Sequence, residues 1–189
     1  MTRRFREDGF EVLSGPRTTV VVEPHNAEWE VIAADTISKL HSILQDALVD
    51  AQHIGSTSII DISAKPIIDI VVGVSDFDEI LSQNSILEEN GFIFRGQDHP
   101  RQYLYICGTN DIRTHHIHAV IYNSEEWNNY VNVRDYLNCH KEDAQTYSKL
   151  KESLANRYPE DRETYTASKS KLISEIIAKA CCWRKGQKA

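Results

Sequence analysis

HIGSTSIIDISAKPIIDIVV, residues 53–72, joins a Gly55-Ser56 turn to an apolar run that contains one acid, Asp69. The apolar run at 67–74 predicts a strand that is buried on both faces. Burying an aspartate in such a strand costs free energy unless the carboxylate is paired, hydrogen-bonded or bound to a cation. Asp69 is therefore the first candidate for chemistry in this chain.

Strand and helix patterns are mixed up to Tyr122, and helix patterns alone follow. Short β-branched or apolar runs predict strands at residues 18–22, 50–54, 67–74, 92–95, 103–107 and 113–122. Apolar residues at helical spacing predict helices at residues 26–48, 77–90, 125–139, 142–156 and 162–182. The tetrad Gly-Thr-Asn-Asp at 108–111 predicts a hairpin between the last two strands. The sequence thus predicts an α+β protein with a mixed sheet of about five strands, flanking helices and a helical C-terminal segment.

Length and composition narrow the class of protein. The 189 residues predict one domain at 18–182, with an irregular leader at 1–17 and a basic tail at 183–189. Lys and Arg number 21 against 28 for Asp and Glu, and the net charge of -7 disfavours a general nucleic-acid-binding surface. The 4 cysteines lack metal-ligand or disulfide spacing and are predicted to be reduced thiols. Without a long apolar run or a signal-peptide pattern, the predicted location is cytoplasmic, with no membrane span.

Three histidines fall within residues 115–118, and His116 and His118 are two positions apart on a predicted strand. Alternate strand residues share a face, so these two rings are predicted to point one way and His115 the other. Two imidazoles with Asp69 as a third ligand suit zinc or a similar divalent ion. The alternative is a hydrogen-bonded pair on a sheet face, or an anion site when the rings are protonated. Asp69, His116 and His118 are the candidate catalytic and metal-binding residues.

Three motifs in order resemble the GrpB family, a branch of the nucleotidyltransferase superfamily. They are HIGSTS at 53–58 followed by AKPIIDI at 64–70, RTHHIH at 113–118, and RDYL at 134–137 followed by residues 147–151. The likeness covers roughly residues 19–180. It implies a nucleotidyltransferase-like fold in which Gly55-Ser56 forms a strand-to-helix turn, Asp69 lies on the next strand, and both face one cleft.

The resemblance also implies a phosphate-binding role for Gly55, Ser56 and Thr57. The glycine would let backbone N–H groups approach an anion, and the serine hydroxyl would add a donor at the start of a helix. Taken alone, Gly-Ser is an ordinary turn pair.

Lys65 and Arg113 are candidate phosphate ligands, because an ammonium supplies charge and a guanidinium binds phosphate with two parallel hydrogen bonds. Their alternatives are a solvated loop lysine and a rim charge that contributes little. In a further alternative, Asp69 is held in a buried ion pair by Lys65, Arg101 or Arg113.

Two positions depart from the family pattern. By the same resemblance, active nucleotidyltransferases carry a second carboxylate two residues after the first, so that the pair can hold two metals. This chain has Val71 at that position. The loop before Lys65 reads Ile-Asp-Ile at 60–62, where the family pattern carries Pro and Gly.

Three functions remain open from these residues. The first is metal-dependent nucleotidyl or phosphoryl transfer to an unidentified acceptor, with Mg, Mn or Zn as the divalent cofactor. The second is a catalytically decayed module that binds a nucleotide or phosphorylated metabolite. The third is a zinc-dependent hydrolase, for which no separate general base is apparent. In each, the partner is a small phosphorylated molecule, and nucleotide binding is expected to be easier to detect than turnover because one acid is missing.

Overall fold

The computed structural model describes residues 19–109 and 112–187, so the predicted leader at 1–17 lies outside the described residues. The strands are β1 Asp50–Ile54, β2 Ile68–Val74, β3 Ile93–His99, β4 Gln102–Gly108 and β5 Arg113–Ile121. The α-helices are α1 Glu28–Leu44, α2 Phe77–Leu81, α3 Asn84–Glu89, α4 Glu125–Cys139, α5 Lys141–Arg157, α6 Arg162–Ala167 and α7 Ser170–Gln187. Short 3-10 helices cover Gln45–Ala47 and Ser56–Ser58. The predicted α+β class and the helical C-terminal segment are confirmed.

The strands form one mixed sheet in the order β1-β2-β5-β4-β3, which confirms the predicted sheet of about five strands. β2 runs parallel to β5, and the other neighbouring pairs are antiparallel. Since β2 has a strand on each side and layers on both faces, nearly all of its side chains are buried. This position explains the near-continuous apolar run in the sequence.

The two faces of β2 pack against different layers. Ile68 and Ile70 belong to the main core, which includes the buried side of α1. The opposite face carries Asp69 and Val71, and Val71 packs with Trp127 of α4. Helices α4, α5 and α7 pack on one another on that side of the sheet. Asp69 comes before Val71 on β2 and so lies at the strand's N-terminal end, facing away from the main core.

The predicted strand at 18–22 is wrong over its described residues, 19–22, which are irregular. The amide of Val20 donates to the carbonyl oxygen of Pro159 at 2.7 Å. The Val20 side chain packs in a small cluster with Tyr165 of α6. Contact with the C-terminal helices therefore overrides the strand propensity of this β-branched segment.

Two predicted helices are each divided in the structure. Residues 77–90 form α2 and α3, because the Ser82 hydroxyl bonds back to the Glu79 carbonyl and Gln83 leaves the helical conformation. Residues 162–182 form α6 and the first part of α7, with a turn at 168–169. The second break places Lys169 in a turn, from which its side chain lines a cleft beside the sheet.

Helix α7 continues through residues 183–187, which are the described part of the predicted basic tail. The Trp183 ring lies edge-on to Tyr136, with 5.9 Å between the ring centroids. Arg184 forms an ion pair with Asp135 of α4. These contacts fix the end of α7 against α4. Among the described residues, no helix is both long and apolar enough to cross a membrane.

Candidate functional site

A cleft of about 220 Å³ lies between the sheet and the C-terminal helices. It is lined by Ser56, Lys65, Ile67, Asp69, His116, Lys151, Arg162, Tyr165, Thr166 and Lys169. Four of these side chains are lysine or arginine, and one is an acid. This excess of positive charge favours an anionic ligand.

Gly55 makes room for the Asp69 carboxylate. β1 pairs with β2 so that Ile54 lies opposite Asp69, and the chain then turns at Gly55 with φ 72°. A methyl group on Gly55 would lie only 2.8 Å from Cβ of Asp69, closer than real side chains approach. The glycine is thus required by the approach of Asp69 and by its own left-handed backbone.

The helix expected after Gly55-Ser56 is a single 3-10 turn, Ser56–Ser58. The Ser58 hydroxyl donates to the Gly55 carbonyl at 2.7 Å and closes this turn. The next residue, Ile59, is already extended. The expected helix is therefore wrong, and one turn adds no appreciable dipole. The phosphate-binding role of Gly55, Ser56 and Thr57 stays a prediction.

Asp69, His116 and His118 lie together on the cleft side of the sheet. In the parallel register, Asp69 is opposite His116 and Val71 is opposite His118. Oδ1 of Asp69 is 3.0 Å from Nδ1 of His116 and 3.6 Å from Nε2 of His118. His115 points to the other face and lies beside Thr36. The predicted alternation along β5 is the one observed.

Hydrogen bonding keeps Asp69 ionised although it is buried. Burial alone would raise the pKa of Asp69, yet the hydrogen bond with His116 and the nearby His118 ring hold this pKa well below its usual range. Burial lowers the pKa of His116, which is therefore neutral at pH 7. A neutral His116 that donates Nδ1–H to Asp69 keeps a lone pair on Nε2. This buried nitrogen has no hydrogen-bond partner among the described residues.

A chain of hydrogen bonds behind His118 favours one of its tautomers. The Gln102 amide nitrogen donates to Asp98 at 3.0 Å, and the Gln102 oxygen accepts from the Tyr130 hydroxyl at 2.7 Å. Burial raises the pKa of Tyr130, so the hydroxyl stays protonated. The Tyr130 oxygen then accepts Nδ1–H of His118 at 3.4 Å. In this tautomer Nε2 of His118 carries a lone pair that points at the Asp69 carboxylate, whereas in the other tautomer Nε2–H donates to Asp69 and helps to lower the pKa of Asp69.

The donor atoms of Asp69, His116 and His118 fit a single metal ion. All three lie within 4.8 Å of one another. Nitrogen and oxygen ligands bind zinc at about 2.0–2.2 Å, which places neighbouring ligand atoms of a tetrahedral site about 3.4 Å apart. The observed separations from Oδ1, 3.0 Å to Nδ1 of His116 and 3.6 Å to Nε2 of His118, are close to that spacing, and His116 would bind through Nδ1 once its proton moves to Nε2. Two imidazole nitrogens and one carboxylate favour zinc or another transition metal over Mg²⁺, which prefers oxygen ligands.

The helical wall of the cleft carries two lysines with lowered pKa values. Burial and the charge of Lys169 lower the pKa of Lys151 to about 7. Burial also lowers the pKa of Lys169 to about 8. The Lys151 Nζ lies 4.4 Å from the ring centroid of Tyr147, and the Lys169 Nζ lies 4.3 Å from that of Tyr165. Ring contacts of this kind stabilise a cation only modestly.

Two of the predicted phosphate ligands line the cleft. The Ser56 hydroxyl is 3.2 Å from the Tyr147 hydroxyl of α5, so the turn after β1 touches the helical wall. Lys65 lies on the segment that enters β2 and lines the same space. Both side chains are therefore within the cleft that contains Asp69.

Thr57 and Arg113, the other two predicted phosphate ligands with a side chain, are buried outside the lining of the cleft. Thr57 is fully buried, with its hydroxyl 2.9 Å from Nε2 of His53 and 3.3 Å from the Ile67 carbonyl. It fixes the turn to β2 and does not line the cleft. Arg113 is also buried and is absent from the lining, although its charge helps to lower the pKa of His116.

The sequence predictions assign no chemistry to Lys151, Arg162 or Lys169, which form much of the helical wall. One signal was present, because Tyr147, Lys151 and Leu154 recur at helical spacing on the buried side of α5. A lysine on that side is unusual enough to mark a site. No such signal marks Lys169, since the turn that presents it falls inside a continuous helical pattern.

Val71, at the position where the resemblance calls for a second acid, is part of an apolar cluster. Val71 is 0% exposed and packs with Ile54, Val120 and Trp127. An acid there would be buried among apolar side chains. The structure therefore offers one carboxylate on β2, supplemented by two histidines on β5.

Comparison with known proteins places these elements in a family. A family model described as GrpB protein matches residues 19–179. The glutamate-rich protein GrpB of Alkalihalophilus pseudofirmus is 34% identical over 163 residues, which cover 84% of this chain and 94% of that protein. The UPF0157 protein YqkA of Bacillus subtilis is 27% identical over 172 residues, covering 91% of this chain but only 50% of YqkA.

A solved structure shares the fold. The crystal structure of conserved protein GrpB from Enterococcus faecalis matches with a TM-score of 0.80 and 28% sequence identity. The match covers 85% of this chain and 96% of that one. The family match spans every residue that lines the cleft.

Proposed function

The chain belongs to the GrpB family, and we propose that it binds a nucleotide or another small phosphorylated metabolite together with one divalent cation in the cleft. The observation that carries this proposal is a pair of acceptors on the sheet side. Nε2 of His118 and Oδ1 of Asp69 face each other at 3.6 Å, and in the tautomer with Nδ1–H bound to Tyr130 the lone pair of Nε2 points towards the carboxylate. Two acceptors in that arrangement require a cation or a proton between them.

The proposed roles follow from position. Asp69 and His118 would hold the cation, with His116 as a third ligand. A bound cation would neutralise charge on the phosphate oxygens. Ser56 and Lys65 line the same cleft and are the proposed donors to those oxygens, one through a hydroxyl and one through an ammonium.

Metal-dependent nucleotidyl or phosphoryl transfer is the second candidate function, and His116 favours it. In this version Asp69 and His118 hold the cation. Nε2 of His116 is buried without a hydrogen-bond partner among the described residues, and His116 lines the cleft. A neutral nitrogen in that position is suited to accept a proton from an attacking hydroxyl. With water as the acceptor, the same arrangement would act as a zinc-dependent hydrolase.

Calorimetric titration with Zn²⁺, Mn²⁺ and Mg²⁺, followed by thermal-shift titration with nucleoside triphosphates, tests the proposal. We expect one ion per chain, with transition metals bound more tightly than Mg²⁺. Asp69→Asn and His118→Gln should lose the ion, whereas His41→Gln, at an exposed site on α1, should keep it. A nucleotide at a hundred times its Kd should add about 2.7 kcal/mol of stability.

If wild type binds no divalent ion and Asp69→Asn responds to nucleotides as wild type does, the proposal is wrong. A proton on His118 would then be the group that separates the two acceptors. Product analysis with the bound ion present distinguishes simple binding from transfer or hydrolysis.

A further inference from the structure

Lys151 is a cation with almost no access to solvent. Its side chain is 1% exposed, and Nζ has no hydrogen-bond partner among the described residues. Lysines at the edge of a core usually extend the amine to water. Lys151 instead keeps its amine buried and lines the cleft. An unpaired buried ammonium destabilises a fold, and an anion bound beside it would offset that cost.

The neighbours of Lys151 do not neutralise its charge. Glu152, the next residue of α5, accepts a hydrogen bond from the Ser148 hydroxyl at 3.2 Å and makes no ion pair with Lys151 in the described part of the chain. The Tyr147 ring, 4.4 Å from Nζ, supplies only a cation–π contact. Of the charged residues that act on Lys151, Lys169 has the strongest effect, and it is also positive.

Lys169 adds a second ammonium to the same wall. It stands in the turn between α6 and α7, lines the cleft, and lies over the Tyr165 ring. Asp69 is the one acid among the lining residues, and its Oδ1 is already engaged by His116. The wall therefore carries two lysines beside a cleft whose lining, over the described residues, contains no second carboxylate.

The size and charge of the cleft select the kind of anion. A volume of about 220 Å³ is below the roughly 300–1,000 Å³ of pockets that enclose a whole drug-sized ligand. It is suited to phosphate groups, with the organic part of the ligand at the mouth. Four cationic lining side chains against one acid favour a ligand with several negative charges.

We propose that Lys151 and Lys169 form an anion subsite on the helical wall, which binds the polyphosphate end of the ligand. The inference deepens the proposed function, because it names a polyphosphate-bearing ligand for the same cleft. In this arrangement the cation at Asp69 and His118 approaches the phosphates from the sheet, and the two ammonium groups approach them from the helices. The subsite is made by the protein alone, so it acts without the metal.

Titration with inorganic tripolyphosphate and orthophosphate in the presence of EDTA tests the subsite separately from the metal. We expect tripolyphosphate to bind at least about tenfold more tightly than orthophosphate. Lys151→Met and Lys169→Met should each weaken tripolyphosphate binding by about 10- to 100-fold, because each removes a charged hydrogen-bond donor. Lys149→Met is the matched control, since Lys149 is exposed on the same helix, and its affinity should stay within about twofold of wild type.

The outcomes separate the two proposals. Asp69→Asn should lose the cation and bind tripolyphosphate at least as tightly in EDTA, because a negative charge leaves the cleft. If Asp69→Asn binds tripolyphosphate in EDTA at least as tightly as wild type, but wild type binds no metal, the anion subsite is supported and the proposed metal site is wrong. Unchanged tripolyphosphate affinity in folded Lys151→Met and Lys169→Met would overturn the subsite. Lys151→Gln provides a polar replacement should the methionine variant aggregate.

Discussion

Replacing Lys151 with methionine should make the protein more stable. Methionine keeps a long unbranched stem beside Tyr147 and removes the ammonium group. Because Nζ has no hydrogen-bond partner among the described residues, the substitution breaks no hydrogen bond seen there. The free energy of unfolding should therefore rise, whereas substitutions at buried positions usually lower it.

The lowered pKa of Lys151 sets the size of the effect. Burial and the charge of Lys169 lower this pKa from 10.5 in the unfolded chain to about 7 in the folded protein. By proton linkage, folding with Lys151 is penalised by about 4 kcal/mol at pH 7 and by about 1 kcal/mol at pH 10. This penalty is the largest increase in the free energy of unfolding that Lys151→Met can give at each pH. Recovery of even about 1 kcal/mol would raise Tm by about 2–4 °C in a chain of this size.

The sign of the pH dependence follows from the same shift. The folded pKa lies below the unfolded one, so Lys151 binds more protons in the unfolded chain between pH 7 and pH 10.5, and the contribution of Lys151 to stability rises with pH across that window. Lys151→Met lacks this contribution, and its advantage over wild type should shrink towards pH 10. Lys169 and Glu152, the charged groups that act on Lys151, remain in both proteins.

Urea unfolding of wild type, Lys151→Met and Lys149→Met at pH 7 and pH 10 measures the effect. The exposed control Lys149→Met should match wild type at both pH values. A loss of stability in Lys151→Met at pH 7, or an equal difference at the two pH values, would refute the reasoning. Either result would mean that the Lys151 ammonium is paired with an anionic group in solution.

Three other substitutions test the sheet side of the cleft. Gly55→Ala should lower the free energy of unfolding by about 2 kcal/mol or more and weaken metal binding, because its methyl group meets Asp69; wild-type values in thermal unfolding and metal titration would contradict the close approach. Tyr130→Phe should weaken metal binding about 10- to 100-fold, because His118 loses its hydrogen-bond partner; unchanged affinity in calorimetry would exclude Tyr130 from the site. Val71→Asp should cost about 3 kcal/mol in urea unfolding, because it buries an acid in an apolar cluster; a gain of metal-dependent transfer would instead indicate a decayed two-metal enzyme.

The sheet side of the cleft was predictable because its signals are local. The alternation of His116 and His118 along one strand sets their common face. The apolar run around Asp69 marks a strand buried on both faces. What local patterns do not contain is the hydrogen-bonded chain through Gln102 and Tyr130, which joins β4 and α4 to His118 across the fold.

The helical wall was less predictable because tertiary contacts decide it. The break at 168–169 lies within a continuous helical pattern, so sequence spacing gave no reason to expect Lys169 in a turn. The β-branched segment at 19–22 has strand propensity, yet Val20 is held by Pro159 and the last helices. Thr57 belongs to the same motif as Ser56, but its hydroxyl is turned into the core by His53. For Val20 the deciding neighbours are distant in the sequence, and for Thr57 they are His53 and Ile67, which the strand and helix patterns do not connect to it.

A crystal structure with Zn²⁺ and a non-hydrolysable nucleoside triphosphate, with anomalous data at the zinc edge, would show whether the cleft binds a cation and phosphate groups together. We expect one anomalous peak about 2.0–2.2 Å from Oδ1 of Asp69 and Nε2 of His118. Phosphate oxygens should lie within hydrogen-bond distance of the Lys151 amine. A peak at another site, or a nucleotide bound outside the cleft, would contradict the proposed function.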